Sequence, residues 1–317
     1  MGAIFFGDEG LRAGWRLVIY FVLVASFLAV ALRVAGHLQS GQPTGNPAPQ
    51  RLFTATSALA TEWLEAAAVA LATFVMAAIE GRRATAYGLA SRRPLWQLAC
   101  GMFWGVTLLT VLVVILKSQG LLVVDGRVLQ SAAAVRYGLL WMVAFLGVGL
   151  FEETFFRGFL LWTLAGGLTA LYRRVNPRLA PALGFWSAAF LLSFGFGGVH
   201  SSNPGESPIG IVAAGIAGLV FTYSIWRTGS LWWAIGFHAA WDWAESYLYG
   251  VADSGNIAEG HLFATHPHGS AVLSGGLTGP EGSIWVLPTL LVTAVIIRLT
   301  LHDECKSAGS ARETAAE

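Results

Sequence analysis

YGLLWMVAFLGVGLFEETFFRGFLLWTLA, residues 137–165, is apolar enough to lie inside a membrane, yet its middle carries three ionisable side chains, Glu152, Glu153 and Arg157. A charge near the centre of a bilayer costs at least about 2.5 kcal/mol, so a chain that keeps three of them there uses them or pairs them with one another. Lipid offers the backbone no hydrogen bonds, and a segment of this length therefore crosses as a helix. Adjacent helical residues point about 100° apart, so Glu152 and Glu153 are not expected to face one target together. Glu153 and Arg157, at i and i+4, share a face and are expected to form an ion pair, which leaves Glu152 as the freer carboxylate. A structural ion pair between Glu152 and Arg157 is the alternative.

The remainder of the chain has the same character. Hydrophobic residues make up 55% of the 317 and charged residues 12%, which assigns the protein to the membrane. The net charge of +1, without a basic tract, gives no indication of a nucleic-acid partner. Apolar blocks at residues 14–36, 57–79, 96–116, 137–165, 181–200, 208–226, 231–249 and 284–301 predict an all-α polytopic bundle of about eight transmembrane helices.

Such a count returns both termini to one side. Arg12, Arg16, Arg82, Arg83, Arg92, Arg93, Arg173, Arg174, Arg178, Arg227, Arg298, Lys306 and Arg312 fall on that side, against Arg33, Arg51, Lys117, Arg127 and Arg136 on the other. The positive-inside rule makes the richer side cytoplasmic, N-in and C-in, as in an integral protein of a bacterial inner (plasma) membrane. The first block is too long for a signal peptide and lacks a small-residue cleavage site. Phe6 stands where a myristoylation signal needs Ser or Thr, and the tail around Cys305 is not a prenylation box. Cys100 in a span and Cys305 in the tail are not expected to form a disulfide.

Two loops on the side poor in basic residues, 38–56 and 250–282, are rich in turn-forming residues. His261, His266 and His268 in the longer one are irregularly spaced and read as exposed loop residues rather than metal ligands. Gly279 to Ser283 (GPEGS) reads as a turn delivering the chain to the last helix, with Ser283 as its N-cap. Ala214 and Gly218 have the small-xxx-small spacing of helix packing. The chemistry then falls to the fourth, fifth and seventh spans. His200 ends FGFGGVH, whose Gly195, Gly197 and Gly198 allow another backbone or a substrate to approach closely. His238 and Asp242 lie one turn apart, where a carboxylate can orient the ring and fix its tautomer. Glu62, Glu65 and Glu245 read as helix-end residues.

Taken in order, Glu152-Glu153-x-x-x-Arg157, Phe196-x-x-x-His200 and His238-x-x-x-Asp242 resemble the signature of the CPBP family of intramembrane proteases, also called the CAAX protease or Abi family, which includes the Rce1 type. The resemblance covers residues 135–250, and the GPEGS turn is similar to a loop in bacterial relatives. It divides the chain into three N-terminal spans (1–134), a CPBP-like catalytic helix bundle (135–305) and a cytoplasmic tail (306–317). It implies an endopeptidase acting inside the bilayer. Glu152 would act as general base with His200 as its partner on the attacking water, His238 with Asp242 would stabilise the oxyanion, and Glu153 with Arg157 would hold the fourth helix in place. No cofactor is required on this reading.

Well-studied relatives carry Asn where this chain has Asp242, and an amide can donate to an oxyanion whereas an ionised carboxylate cannot. Glu152, His200, His238 and Asp242 also make a donor set for zinc, although no His-Glu-x-x-His run is present. The implied partners are membrane lipid and a peptide, lipidated or transmembrane protein substrate. Readings from other classes are a transporter, for which no inverted repeat is seen, and a non-catalytic receptor or immunity protein on the same fold. The span boundaries put Glu152 near mid-membrane, His238 two turns from the cytoplasmic end and His200 at the external end, too far apart in depth for one site.

Overall fold

The computed structural model describes residues 6–7, 10–39 and 51–301. Cys305, Lys306, Arg312, the 306–317 tail, Met1-Gly2 and most of the 38–56 loop lie outside the described residues. After a two-stranded hairpin (β1 Phe6–Gly7, β2 Gly10–Leu11) come α1 (Ala13–Gln39), β3 (Arg51–Phe53), α2 (Ala55–Ile79), α3 (Pro94–Ser118) and β4 (Leu122–Arg127). The fourth helix runs as α4 (Ser131–Glu153), a π-helical stretch (Thr154–Leu160) and α5 (Leu161–Tyr172). Then follow α6 (Ala180–His200), α7 (Pro208–Thr228), α8 (Trp232–Trp243) continued by a π turn (Ala244–Tyr249), β5 (Asn256–Ala258), β6 (Phe263–Pro267), the short α9 (Ala271–Ser274) and α10 (Val286–Thr300).

The architecture is an all-α bundle, and every predicted apolar block is helical. Among the described residues six helices are long and apolar enough to cross a membrane. The remaining two blocks form α8 with its π turn, and α10, which has 15 residues. Local chemistry sets the boundaries. Thr54 caps α2 by accepting the Ser57 N–H at 3.2 Å, and Ser207 caps α7 by accepting the Gly210 N–H at 3.0 Å, with Pro208 in the first turn. Gly229, at φ +70°, ends α7 in the left-handed conformation that glycine adopts without penalty.

α8 is the axis of the bundle. Trp233, Ala234, Ile235, Phe237, Ala239 and Ala240 are all buried, so this helix is apolar around most of its circumference because protein surrounds it, the exceptions being His238 and Asp242. Its neighbours approach through glycines. A Cβ on Gly101 or Gly105 of α3 would run into the Trp233 or Phe237 carbonyl, and one on Gly149 of α4 would meet the Ile235 carbonyl at 2.9 Å. Gly197 likewise brings α6 against Ile211 and Gly215 of α7, while Gly195 and Gly198 meet nothing. Large apolar side chains such as Phe194, Leu95 and Leu299 stand exposed on the outside of the bundle, the surface a membrane covers.

The loops segregate to two faces. On one, Arg16 pairs with Glu80 at 3.3 Å, the Leu231 N–H donates to the Gly88 carbonyl at 2.8 Å, and Arg227 Nη2 donates to the Leu301 carbonyl at 2.7 Å, so the start of α1 and the end of α10 share a face. On the other, β3 pairs in parallel with β5 and β4 antiparallel with β6, making a cap. The 250–282 segment, read from sequence as a loop, is built into this cap. His261 Nδ1 bonds the Ala258 carbonyl, and His266 bonds Asp125 at the surface. Ser283 accepts the Trp285 N–H at 3.2 Å but is not the N-cap expected of it: the helix begins at Val286 with Trp285 at the cap position and no side-chain cap bond.

The apparent mismatch in depth disappears in the folded chain. The fourth helix spans 42 residues, Ser131–Tyr172, well beyond the 137–165 expected. α6 packs back along α5, with Gly184 against Ala165 and Thr169, and its 21 residues climb only to where Phe196 meets Phe156 at 5.1 Å. His200 therefore ends its helix inside the bundle. The turn after it lies beneath the cap, where Thr278 Oγ1 donates to the Gly205 carbonyl at 3.1 Å.

Candidate active site

α4, α6 and α8 meet around a cavity of about 1240 Å³ that also reaches α1, α2, α7, α10 and the cap. Glu152, His200, His238 and Asp242 all line it. Glu153 and Arg157 form the expected ion pair, Oε1 to Nη1 at 3.1 Å, with side-chain exposures of 0% and 2%. The guanidinium lies 4.1 Å from the centre of the Phe196 ring, and Gly218 of α7 leaves room for its Nη2 and for Ser193, which is what the small-residue spacing there achieves.

The two glutamates do meet one target, contrary to the expectation from helical geometry. His238 Nδ1 bonds Glu153 Oε1 at 2.9 Å, and its Nε2 lies 3.7 Å from Glu152 Oε2. An imidazole has two nitrogens on different edges, so adjacent carboxylates diverging from one helix can reach it from two sides. Asp242 Oδ2 stands 3.6 Å from the same Nε2, so the His238–Asp242 pair is also in place. Glu153, fully enclosed, is committed to Arg157 and His238. Glu152, with 23% of its side chain exposed, faces the cavity and forms no ion pair with Arg157 among the described residues.

His200 sits apart from this group. Its Nδ1 bonds the Phe196 carbonyl at 2.8 Å and its ring packs on Phe196 at 4.7 Å. A carbonyl can only accept, so the proton is on Nδ1 and Nε2 is left free. Among the described residues no hydrogen bond or ion pair joins His200 to Glu152, His238 or Asp242. The structure thus gathers Glu152, Glu153, Arg157, His238 and Asp242 into one network, with His200 on the wall of the same cavity.

Several acidic residues here carry no role in the sequence reading. Glu62 and Glu65, taken as helix-end residues, line the cavity from within α2. Their spacing in an apolar span was a usable signal, since intramembrane carboxylates are functional candidates by default. Glu245, also taken as a helix-end residue, is fully buried. Asp253 and Glu281 reach the cavity from the cap. Burial, with Asp242 and Glu281 nearby, pushes the Asp253 carboxyl well above the usual range. Glu206, in the turn after His200, is raised to about 7 by burial and by Glu281, against the opposing hydrogen bond from the Ser207 N–H and the nearby His200. No sequence pattern distinguishes Glu206 or Asp253 from ordinary loop residues.

Neither the curated proteins nor the solved structures contain a significant match to the chain. Residues 134–244 match the family model described as Type II CAAX prenyl endopeptidase Rce1-like, a segment that includes every residue of the network and His200. Over that segment the chain is similar to the CPBP, or CAAX protease, family, which the match supports.

Proposed function

We propose that this protein is a metal-independent intramembrane endopeptidase in which Glu152 activates water against a peptide carbonyl. The observation that carries the reading is the division of labour between the adjacent glutamates. Glu153 is enclosed and bonded to both Arg157 and His238, whereas Glu152 looks into the cavity. A general base must reach substrate and water, and of the two adjacent glutamates only Glu152 lines the cavity.

Water held between Glu152 and the free Nε2 of His200 loses its proton to Glu152 as its oxygen attacks the scissile carbonyl. His238, with a proton on each ring nitrogen, gives one hydrogen bond to Glu153 and turns the other N–H toward the developing oxyanion. Asp242 then acts through His238 by orienting it, so the chain does not need a donor amide at that position. Collapse of the tetrahedral intermediate returns the proton from Glu152 to the leaving amine. The substrate is a peptide segment presented in the membrane, lipidated or transmembrane.

The test is cleavage of an internally quenched peptide library, some members prenylated, by purified protein in detergent or lipid, with and without a chelator. Cleavage that survives chelation and is lost in Glu152→Gln, with folding intact, is expected. Loss on chelation moves the water to zinc held by Glu152, His200, His238 and Asp242. Biological activity that survives Glu152→Gln means a receptor or immunity protein.

A further inference from the structure

Three carboxylates that this mechanism leaves unused converge above the network. Glu245 comes from the π turn that prolongs α8, Asp253 from the turn after it, and Glu281 from the GPEGS turn; one oxygen of each lies within 4.8 Å of the other two. Glu245 is 0% exposed, and among the described residues neither of its oxygens accepts a hydrogen bond, although the Glu281 N–H comes near. No ion pair to any of the three is found among the described residues. A buried carboxylate beside two others, without a cation, is strongly unfavourable.

The surroundings hold the group in this arrangement. Ser254 donates its N–H and hydroxyl to Glu281 Oε1 at 2.7 and 2.5 Å, and Ser246 donates to Asp253 Oδ2 at 3.1 Å. Each of those carboxylates keeps its second oxygen, and Glu245 keeps both. Gly279, at φ +108°, brings the GPEGS turn down onto the group; a Cβ there would press on the Ala252 carbonyl and stand 3.2 Å from Glu245 Oε1.

We infer that Glu245, Asp253 and Glu281 form a binding site for a hard divalent cation, with Ca²⁺ as the preferred ion. The donors are all oxygen, which disfavours zinc, an ion better served by nitrogen and sulfur. Ca²⁺ accepts carboxylates in flexible, irregular geometry, whereas Mg²⁺ demands a near-ideal octahedron and keeps most of its waters, so three carboxylates supplied by three separate turns suit the larger ion. Bound there, it clasps the end of α8, the cap and the turn entering α10 across the cavity that Asp253 and Glu281 line.

The test uses the full chain in detergent, stripped with EDTA and titrated with Ca²⁺, Mg²⁺ or Zn²⁺ while heat of binding and thermal unfolding are followed. One Ca²⁺ per chain is expected, raising Tm by about 5 °C at roughly a hundred times Kd, with weaker Mg²⁺ binding. Glu281→Gln, or Asp253→Asn if the first variant folds poorly, is expected to weaken Ca²⁺ roughly tenfold or more. In EDTA either variant is expected to be at least as stable as the wild type, having one charge fewer in the cluster. No heat and no Tm shift with Ca²⁺ in the wild type overturns the inference and leaves the carboxylates sharing protons instead. Neither readout depends on peptide cleavage, so failure here leaves the proteolytic reading standing.

Discussion

Glu153 and Glu152 are neighbours in sequence, but their substitution should have opposite consequences. Glu153→Gln leaves a fully enclosed Arg157 without its carboxylate and weakens the bond to His238, and should destabilise the fold by about 3–5 kcal/mol. Denaturant or thermal unfolding in detergent measures this, and a loss as small as that of Glu152→Gln would contradict the division of labour. Asp242→Asn keeps an oxygen toward His238 and is expected to retain activity within about tenfold, whereas Asp242→Ala frees the ring and should cost roughly 10–100-fold in kcat. Glu206 offers a pH signature. Its folded-state carboxyl is raised to about 7 above the ordinary 4.5, so its contribution to stability is fully present below the lower value and is lost as pH rises through the upper one. Glu206→Gln retains an oxygen to accept the Ser207 N–H and escapes that loss, so the Tm difference between variant and wild type, measured in EDTA, should grow between about pH 5 and pH 8. The i, i+4 rule made the Glu153–Arg157 and His238–Asp242 pairs readable from sequence. The contact from His238 to both glutamates was not, because it joins α4 to α8, and no local spacing encodes which helices become neighbours.

Among the elements, the α3–α8 crossing is the most demanding, since Gly101 and Gly105 let the two backbones touch at Trp233 and Phe237 and Gly236 lets them touch at Leu98. Gly105→Val should force α3 outward and destabilise the protein by about 1–3 kcal/mol, seen as a lowered Tm with activity falling in parallel because His238 rides on α8. Helical blocks were legible because twenty apolar residues in a row leave few alternatives. The π stretch at Thr154–Leu160, the reach of α5 to Tyr172 and the four cap strands β3 to β6 were not. A π turn has no composition of its own, and the strands are short pairings between segments distant in sequence. Treating α4 and α5 as one span of 137–165 is what displaced His200 in depth.

On the scale of the molecule, the cavity has two kinds of wall. Leu32 and Ala35 of α1, with Phe145 and Phe151 of α4, make an apolar side, while Ser202, Asn203, Asp253, Ser254 and Asn256 make a polar one beneath the cap. Leu32 is 54% exposed, so Leu32→Trp should be tolerated by the fold but narrow the apolar side, raising KM for a lipidated peptide several-fold with kcat little changed in steady-state cleavage assays. The loops gather at two ends, residues near Gly88, Arg227 and Leu301 at one and the cap at the other. The turn of residues 201–207 under that cap also bears on supply. Hydrolysis consumes one water per turnover, and a hydrocarbon layer cannot deliver it. On the proposed function, Ser202 and Asn203 at the polar side would admit water while the apolar side would receive the peptide, so the scission rate would be limited by how quickly a peptide uncoils at the dry side and not by any thirst at the wet one.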